Sequence, residues 1–163
     1  MSQQPALYYW KDDRENEILN GDKRMCQGQP QSGQSYTMYH GTTRANADVI
    51  IMPSTGPLER SVDGILGRGV YLSRNVNTAS RYPIDLPDAQ RVVLVVEVTV
   101  GKVIAINCKG HPRQENWHDA RYGEVFDTAW CPPDLNDNKE EICVWDHNSI
   151  TVFRRIDPTP RAP

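Results

Sequence analysis

Four separated segments of the 163-residue chain carry residue types that could hold a flat ligand. Tyr39-His40-Gly41-Thr42 sets a histidine beside a glycine, and a glycine lets a ligand approach the backbone with no Cβ in the way. Gly67-Arg68-Gly69-Val70-Tyr71-Leu72 puts a tyrosine on a short strand behind a glycine-rich loop. Tyr82 follows at the end of a short helical stretch. Two such rings in one pocket could sandwich a flat heterocycle by stacking. In Glu141-Ile142-Cys143-Val144-Trp145, strand alternation puts Glu141, Cys143 and Trp145 on one face and Ile142 and Val144 on the other. A carboxylate sharing a face with a thiol and an indole is unusual for a solvated edge. Taken singly, each residue has an ordinary reading: a satisfied histidine, a packed tyrosine, a solvated glutamate. The combination is more specific than any part.

The elements that must position these residues follow from pattern. Tyr36 to His40 is β-prone and reads as a strand ending at Gly41. Thr42 or Thr43 can cap a helix running to Met52, because Pro53 disfavours helical backbone in the residue before it. Residues 53–67, with Pro53, Gly56, Pro57, Gly64 and Gly67, read as a shaped loop without regular structure. Gly69 to Leu72 is a short strand, and Asn75 caps a helix that ends at Tyr82 before Pro83. Gln90 to Val98 is the strongest strand. Val92, Leu94, Val96 and Val98 face one way and Val93 and Val95 the other, so both faces are apolar and the strand is central. Val103 to Ile106, Ile142 to Trp145 and Thr151 to Ile156 are further strands. Residues 107–139 form a long irregular stretch, of the kind that is usually functional or mobile.

Strands in series with two short helices predict an α+β fold and disfavour a doubly wound parallel sheet. Residues 1–35 read as a partly ordered extension in which Leu7, Tyr8, Tyr9 and Trp10 could dock on a core. Residues 36–156 read as one domain. Residues 157–163 hold three prolines and read as a disordered tail.

In order and phasing these segments resemble the catalytic domain of the diphtheria-toxin-related, poly(ADP-ribose) polymerase-like ADP-ribosyltransferases. The signature of that family is a His, Tyr, Glu triad on three separated strands. The resemblance is carried by Tyr39-His40-Gly41-Thr42, the run from Gly67 to Ser73, Ala79-Ser80-Arg81-Tyr82, Val92 to Val98 with Gly101-Lys102-Val103, and Glu141 to Asp146. Among small members the chain is similar to the virus- and interferon-induced PARP-like proteins of fish. The resemblance implies two packed, mainly antiparallel sheets with short helices around an NAD+ cleft. It implies transfer of one ADP-ribose unit to a protein, itself included, with release of nicotinamide, in a setting of antiviral innate immunity.

It also implies His40, Tyr71 and Glu141 as catalytic residues. NAD+ contacts would come from His40, Gly41, Thr42, Arg68, Tyr71, Ser80 and Tyr82. His40 would bond the adenosine-ribose hydroxyl, the Gly41 backbone the carboxamide, and Glu141 the 2′-hydroxyl of the nicotinamide ribose. Tyr71 and Tyr82 would stack on the nicotinamide ring, and Arg60 and Arg68 could meet the pyrophosphate. Nicotinamide is a reasonable leaving group, and its departure builds positive charge that a nearby carboxylate stabilises. One position departs from the family. Where a serine commonly bonds the carboxamide, three residues before the second tyrosine, this chain has Ala79, flanked by Thr78 and Ser80.

Composition narrows the alternatives. Lys and Arg number 18 against 21 Asp and Glu, a net charge of −3, so no bulk attraction draws the chain to a phosphate backbone. RNA 2′-phosphotransfer, on a related fold with a His-Gly-Thr-like segment, is disfavoured for the same reason. A non-catalytic module binding NAD+, ADP-ribose or a protein partner is the stronger rival. No apolar run reaches the roughly 20 residues needed to cross a bilayer. The first twenty residues lack a basic segment followed by an apolar one, and the four cysteines form no CxxC. These features predict a cytoplasmic protein, with the nucleus also open to it, rather than a secreted or membrane one. Cys108, His111, His118 and Cys131 are zinc-ligand types, but only Cys108-x-x-His111 has ligand spacing, so no metal is expected.

Overall fold

The computed structural model describes residues 8–11, 28–51, 58, 60–83, 85–135 and 139–160. In chain order its elements are β1 (Tyr8–Tyr9), β2 (Ser35–Thr43), α1 (Arg44–Ile51), β3 (Ser61–Gly64), β4 (Gly67–Leu72), α2 (Val76–Ala79), β5 (Arg91–Thr99), β6 (Val103–Ala105), β7 (Thr128–Cys131), β8 (Glu141–Val144), β9 (Ile150–Ile156) and β10 (Thr159–Pro160). The chain is mainly β with short helices, and its sheets are mostly antiparallel. One sheet has the order β2-β5-β9 and another the order β3-β4-β8-β7-β6, while β1 pairs with β10. The β6–β7 pair alone among these is parallel.

The central strand is the one that its double apolar face requires. β5 lies between β2 and β9. Val92, Leu94, Val96 and Val98 join Met38, Val70, Leu72, Ile142 and Val144 in a core between the two larger sheets. Val93 and Val95 face the other way, onto Trp10, Tyr39, Val76 and Ala79. The five-stranded sheet buries its second face too. There Ala129, Cys131 and Cys143 pack with Leu66, Ile106 and the wholly buried Trp117. Glu141, Cys143 and Trp145 thus alternate with Ile142 and Val144 as the period of two demands.

The two larger sheets touch at a backbone bridge between Tyr39 and Ser73. The Tyr39 N–H donates to Ser73 O at 2.7 Å and the Ser73 N–H donates back at 2.9 Å. This bridge brings the end of β4 beside the middle of β2, one residue from His40.

Several local expectations are corrected. β2 runs through Gly41 to Thr43, and α1 starts at Arg44 with the Thr43 hydroxyl accepting from the Asn46 N–H at 3.0 Å. Asn75 caps α2 as expected, its side chain accepting from the Asn77 and Thr78 N–H groups. However, α2 is one turn ending at Ala79, not a helix to Tyr82. The expected loop 53–67 contains β3, paired to β4 through a turn that Gly67 closes at a φ of 75°. The expected irregular stretch 107–139 contains β7, which gains partners on both sides. Within the expected disordered tail, Thr159–Pro160 form β10 against β1, and residues 161–163 lie outside the described residues. The placements assigned to Leu7, Met52, Pro53, Gly56 and Pro57 lie outside the described residues. No helix among the described residues is long and apolar enough to cross a membrane.

Candidate active site

Where the two larger sheets part beside the Tyr39–Ser73 bridge, a cleft of about 580 Å³ opens. It is lined by His40 from β2, Tyr71 from β4, Thr78 and Ala79 from α2, Tyr82 beyond it, and Glu141 from β8, with the β3 hairpin supplying Ser61, Gly64 and Ile65. Five parts of the chain, spread from residue 39 to residue 141, therefore converge on one hollow. Its size lies within the range of small-molecule sites.

His40 Nδ1 lies 2.8 Å from Tyr71 O. Burial holds the imidazole pKa below its ordinary 6.5, against the smaller opposing effect of that hydrogen bond. The ring is neutral near pH 7. A carbonyl oxygen only accepts, so the proton sits on Nδ1 and Nε2 is left as an acceptor. A ligand hydroxyl is the natural donor to it.

Tyr71 is fixed by its own hydroxyl. The O–H donates to Gly67 O and accepts from the Leu66 N–H at 3.0 Å. Burial, with Cys143 and Glu141 adding to it, pushes the phenol pKa far up. The phenol therefore stays neutral, and the ring is the part offered to a ligand. Gly64 makes room for that ring, since a Cβ there would lie 1.9 Å from Tyr71 Cζ. Trp117 supports the same turn, its Nε1–H donating to Leu66 O at 2.8 Å.

Glu141 opens β8 and is only 6 % exposed. Its charge helps burial to raise the pKa of Tyr82 and of the Cys131 and Cys143 thiols. Tyr82, at 36 % exposed, forms the open side of the cleft. The arrangement is a carboxylate in poor contact with water, set among aromatic walls. Such a site favours a flat ligand that carries or develops positive charge.

Other expected site residues fall elsewhere. Thr42 is buried in β2 and does not line the cleft. Arg68 is exposed on β4, outside the lining. Arg60 stacks its guanidinium on Trp145 at 3.8 Å and donates from Nε to Trp145 O at 2.7 Å. Ser80 is buried and its Oγ–H donates to Asn77 O at 2.8 Å, so its hydroxyl closes α2 while Thr78 faces the cleft. Gly41 lines the cleft, but protein backbone occupies the space beside it. A Cβ there would lie 2.0 Å from Ala79 O and 2.9 Å from Tyr82 O. Cys108 is exposed, Cys131 is buried, and His118 stacks on Trp145 at 3.7 Å. Among the described residues no three or more His, Cys, Asp or Glu side chains gather as a metal site.

The sequence reading missed Ser61, Ile65, Ser73 and Pro83 as cleft residues. No chemical signal marks them; only the pairing of β3 with β4 and the Tyr39–Ser73 bridge bring the first three in. No family model and no curated protein matches the chain.

Proposed function

We propose that this cleft binds NAD+ and that the protein is an ADP-ribosyltransferase of the poly(ADP-ribose) polymerase-like fold, passing one ADP-ribose unit to a protein acceptor. The observation that carries the reading is the convergence of His40, Tyr71, Tyr82 and Glu141 on one cleft from four separate segments. Aromatic walls suit the flat nicotinamide ring. The His40 Nε2 acceptor suits a ribose hydroxyl, and the buried Glu141 carboxylate suits the positive charge that grows on the ribose as nicotinamide leaves. In that step the bond between the ribose C1′ and the nicotinamide nitrogen breaks, nicotinamide keeps the electron pair, and an acceptor nucleophile bonds C1′ and gives up its proton.

Incubation of the full chain with NAD+ and measurement of released nicotinamide tests the proposal. Sustained release is expected. Glu141→Gln should lower kcat by at least about 100-fold while calorimetric NAD+ affinity changes by less than about threefold, because the carboxylate acts mainly in the transition state. Binding without turnover in the parent protein would instead assign the cleft to a binding module. Unchanged turnover in Glu141→Gln would remove Glu141 from the chemistry.

A further inference from the structure

The residue before Glu141 is also a buried carboxylate. The side chain of Glu140 is 3 % exposed and that of its partner Arg74 is 6 % exposed. Arg74 grips it with two nitrogens: Nε donates to Oε1 at 2.8 Å and Nη2 donates to Oε2. The Trp130 Nε1–H donates to the same Oε2 at 2.8 Å. Arg74 Nη2 also donates to Gly28 O at 2.6 Å.

Each partner in this cluster adjoins a part of the cleft. Arg74 stands between Ser73, which bridges to Tyr39, and Asn75, which caps the turn carrying Thr78. Trp130 belongs to β7 and pairs with Ile142 of β8. Glu140 leads directly into Glu141. The ion pair therefore ties the end of β4, the start of α2, β7 and the start of β8 at one point.

A buried ion pair is a poor source of net stability, because desolvating both charges offsets their attraction. Its directional value is greater, since a two-pronged guanidinium–carboxylate contact fixes both position and angle. We propose that Arg74 and Glu140 are positioning residues that set the Glu141 carboxylate relative to His40 and Tyr71. Their effect on turnover rests on the transferase reading above; their effect on the place of Glu141 does not.

The double variant R74M/E140Q tests this. It removes both charges, keeps similar volume, and leaves an amide oxygen to accept from Trp130. With folding confirmed by circular dichroism, kcat should fall about tenfold or more while KM for NAD+ changes less than about threefold. Parental kcat in the folded double variant would overturn the proposal. If the double variant does not fold, Glu140→Asp, which keeps the charge and shortens the side chain by one methylene, carries the same expectation and the same contrary result. If the parent protein releases no nicotinamide, the transferase reading fails by itself. The clamp is then decided by crystal structures: Glu141 displaced by more than about 1 Å in the variant supports it, and Glu141 in its parental place overturns it.

Discussion

His40 joins the site to the stability of the molecule. Burial disfavours its charged form, so its folded pKa lies below the ordinary 6.5. Between those two values the unfolded chain binds more protons than the folded one, and stability rises with pH. Acidification through pH 6.5 towards the lowered folded value removes that stability. His118 shifts in the same direction, burial being its largest cause, and it adds to the trend. The melting temperature should therefore be lower at pH 5 than at pH 7, and His40→Gln should narrow the gap. Calorimetric scans across that range check this, and an unaltered gap in His40→Gln would contradict it. At this scale the sequence spoke through residue types. His40, Tyr71, Tyr82 and Glu141, which residue type and the family resemblance single out, line one cleft. Ser80 is not among the cleft residues, and only the geometry of α2 shows where its hydroxyl goes.

At the scale of elements, the hairpin of β3 and β4 sets the cleft. Gly64 admits the Tyr71 ring, and the turn at Leu66 holds the Tyr71 hydroxyl and is itself held by Trp117. Gly64→Ala forces the ring or the hairpin to move. It should cost about 1–3 kcal/mol of stability, as overpacking does, and weaken NAD+ binding by about tenfold. Gly28→Ala meets nothing within 4 Å and serves as the control. Urea unfolding and calorimetric titration of both variants provide the measurement, and equal behaviour would remove Gly64 from the account of the site. Long elements with strong patterns were legible here. β5 announces itself with two apolar faces, and the Thr43 and Asn75 caps are chemical signals. β3 and β7 were not legible, because four residues carry little alternation; β3 is a strand through its hairpin with β4, and β7 through β6 and β8 on either side. Pairing, not propensity, makes them strands.

At the scale of the whole molecule, three apolar clusters stack across the two larger sheets. The cluster on the outer face of the three-stranded sheet includes Trp10, which buries its ring and donates from Nε1 to Arg91 O at 3.1 Å. Close by in sequence, β1 pairs with β10, so both ends of the described chain meet. Trp10→Ala should cost about 3 kcal/mol, read as a lowered urea midpoint with little change in the slope. A midpoint equal to the parent's would contradict the packing. The docking of Trp10 was readable in its apolar neighbourhood. The strand at Thr159–Pro160 was not, because prolines mask an edge that needs only two pairings. The most direct measurement of all is a crystal structure of the full chain soaked in saturating NAD+. The expected result is a nicotinamide ring held by Tyr71 and Tyr82, with its ribose at Glu141. A dinucleotide bound elsewhere, or an empty cleft at saturation, would contradict it.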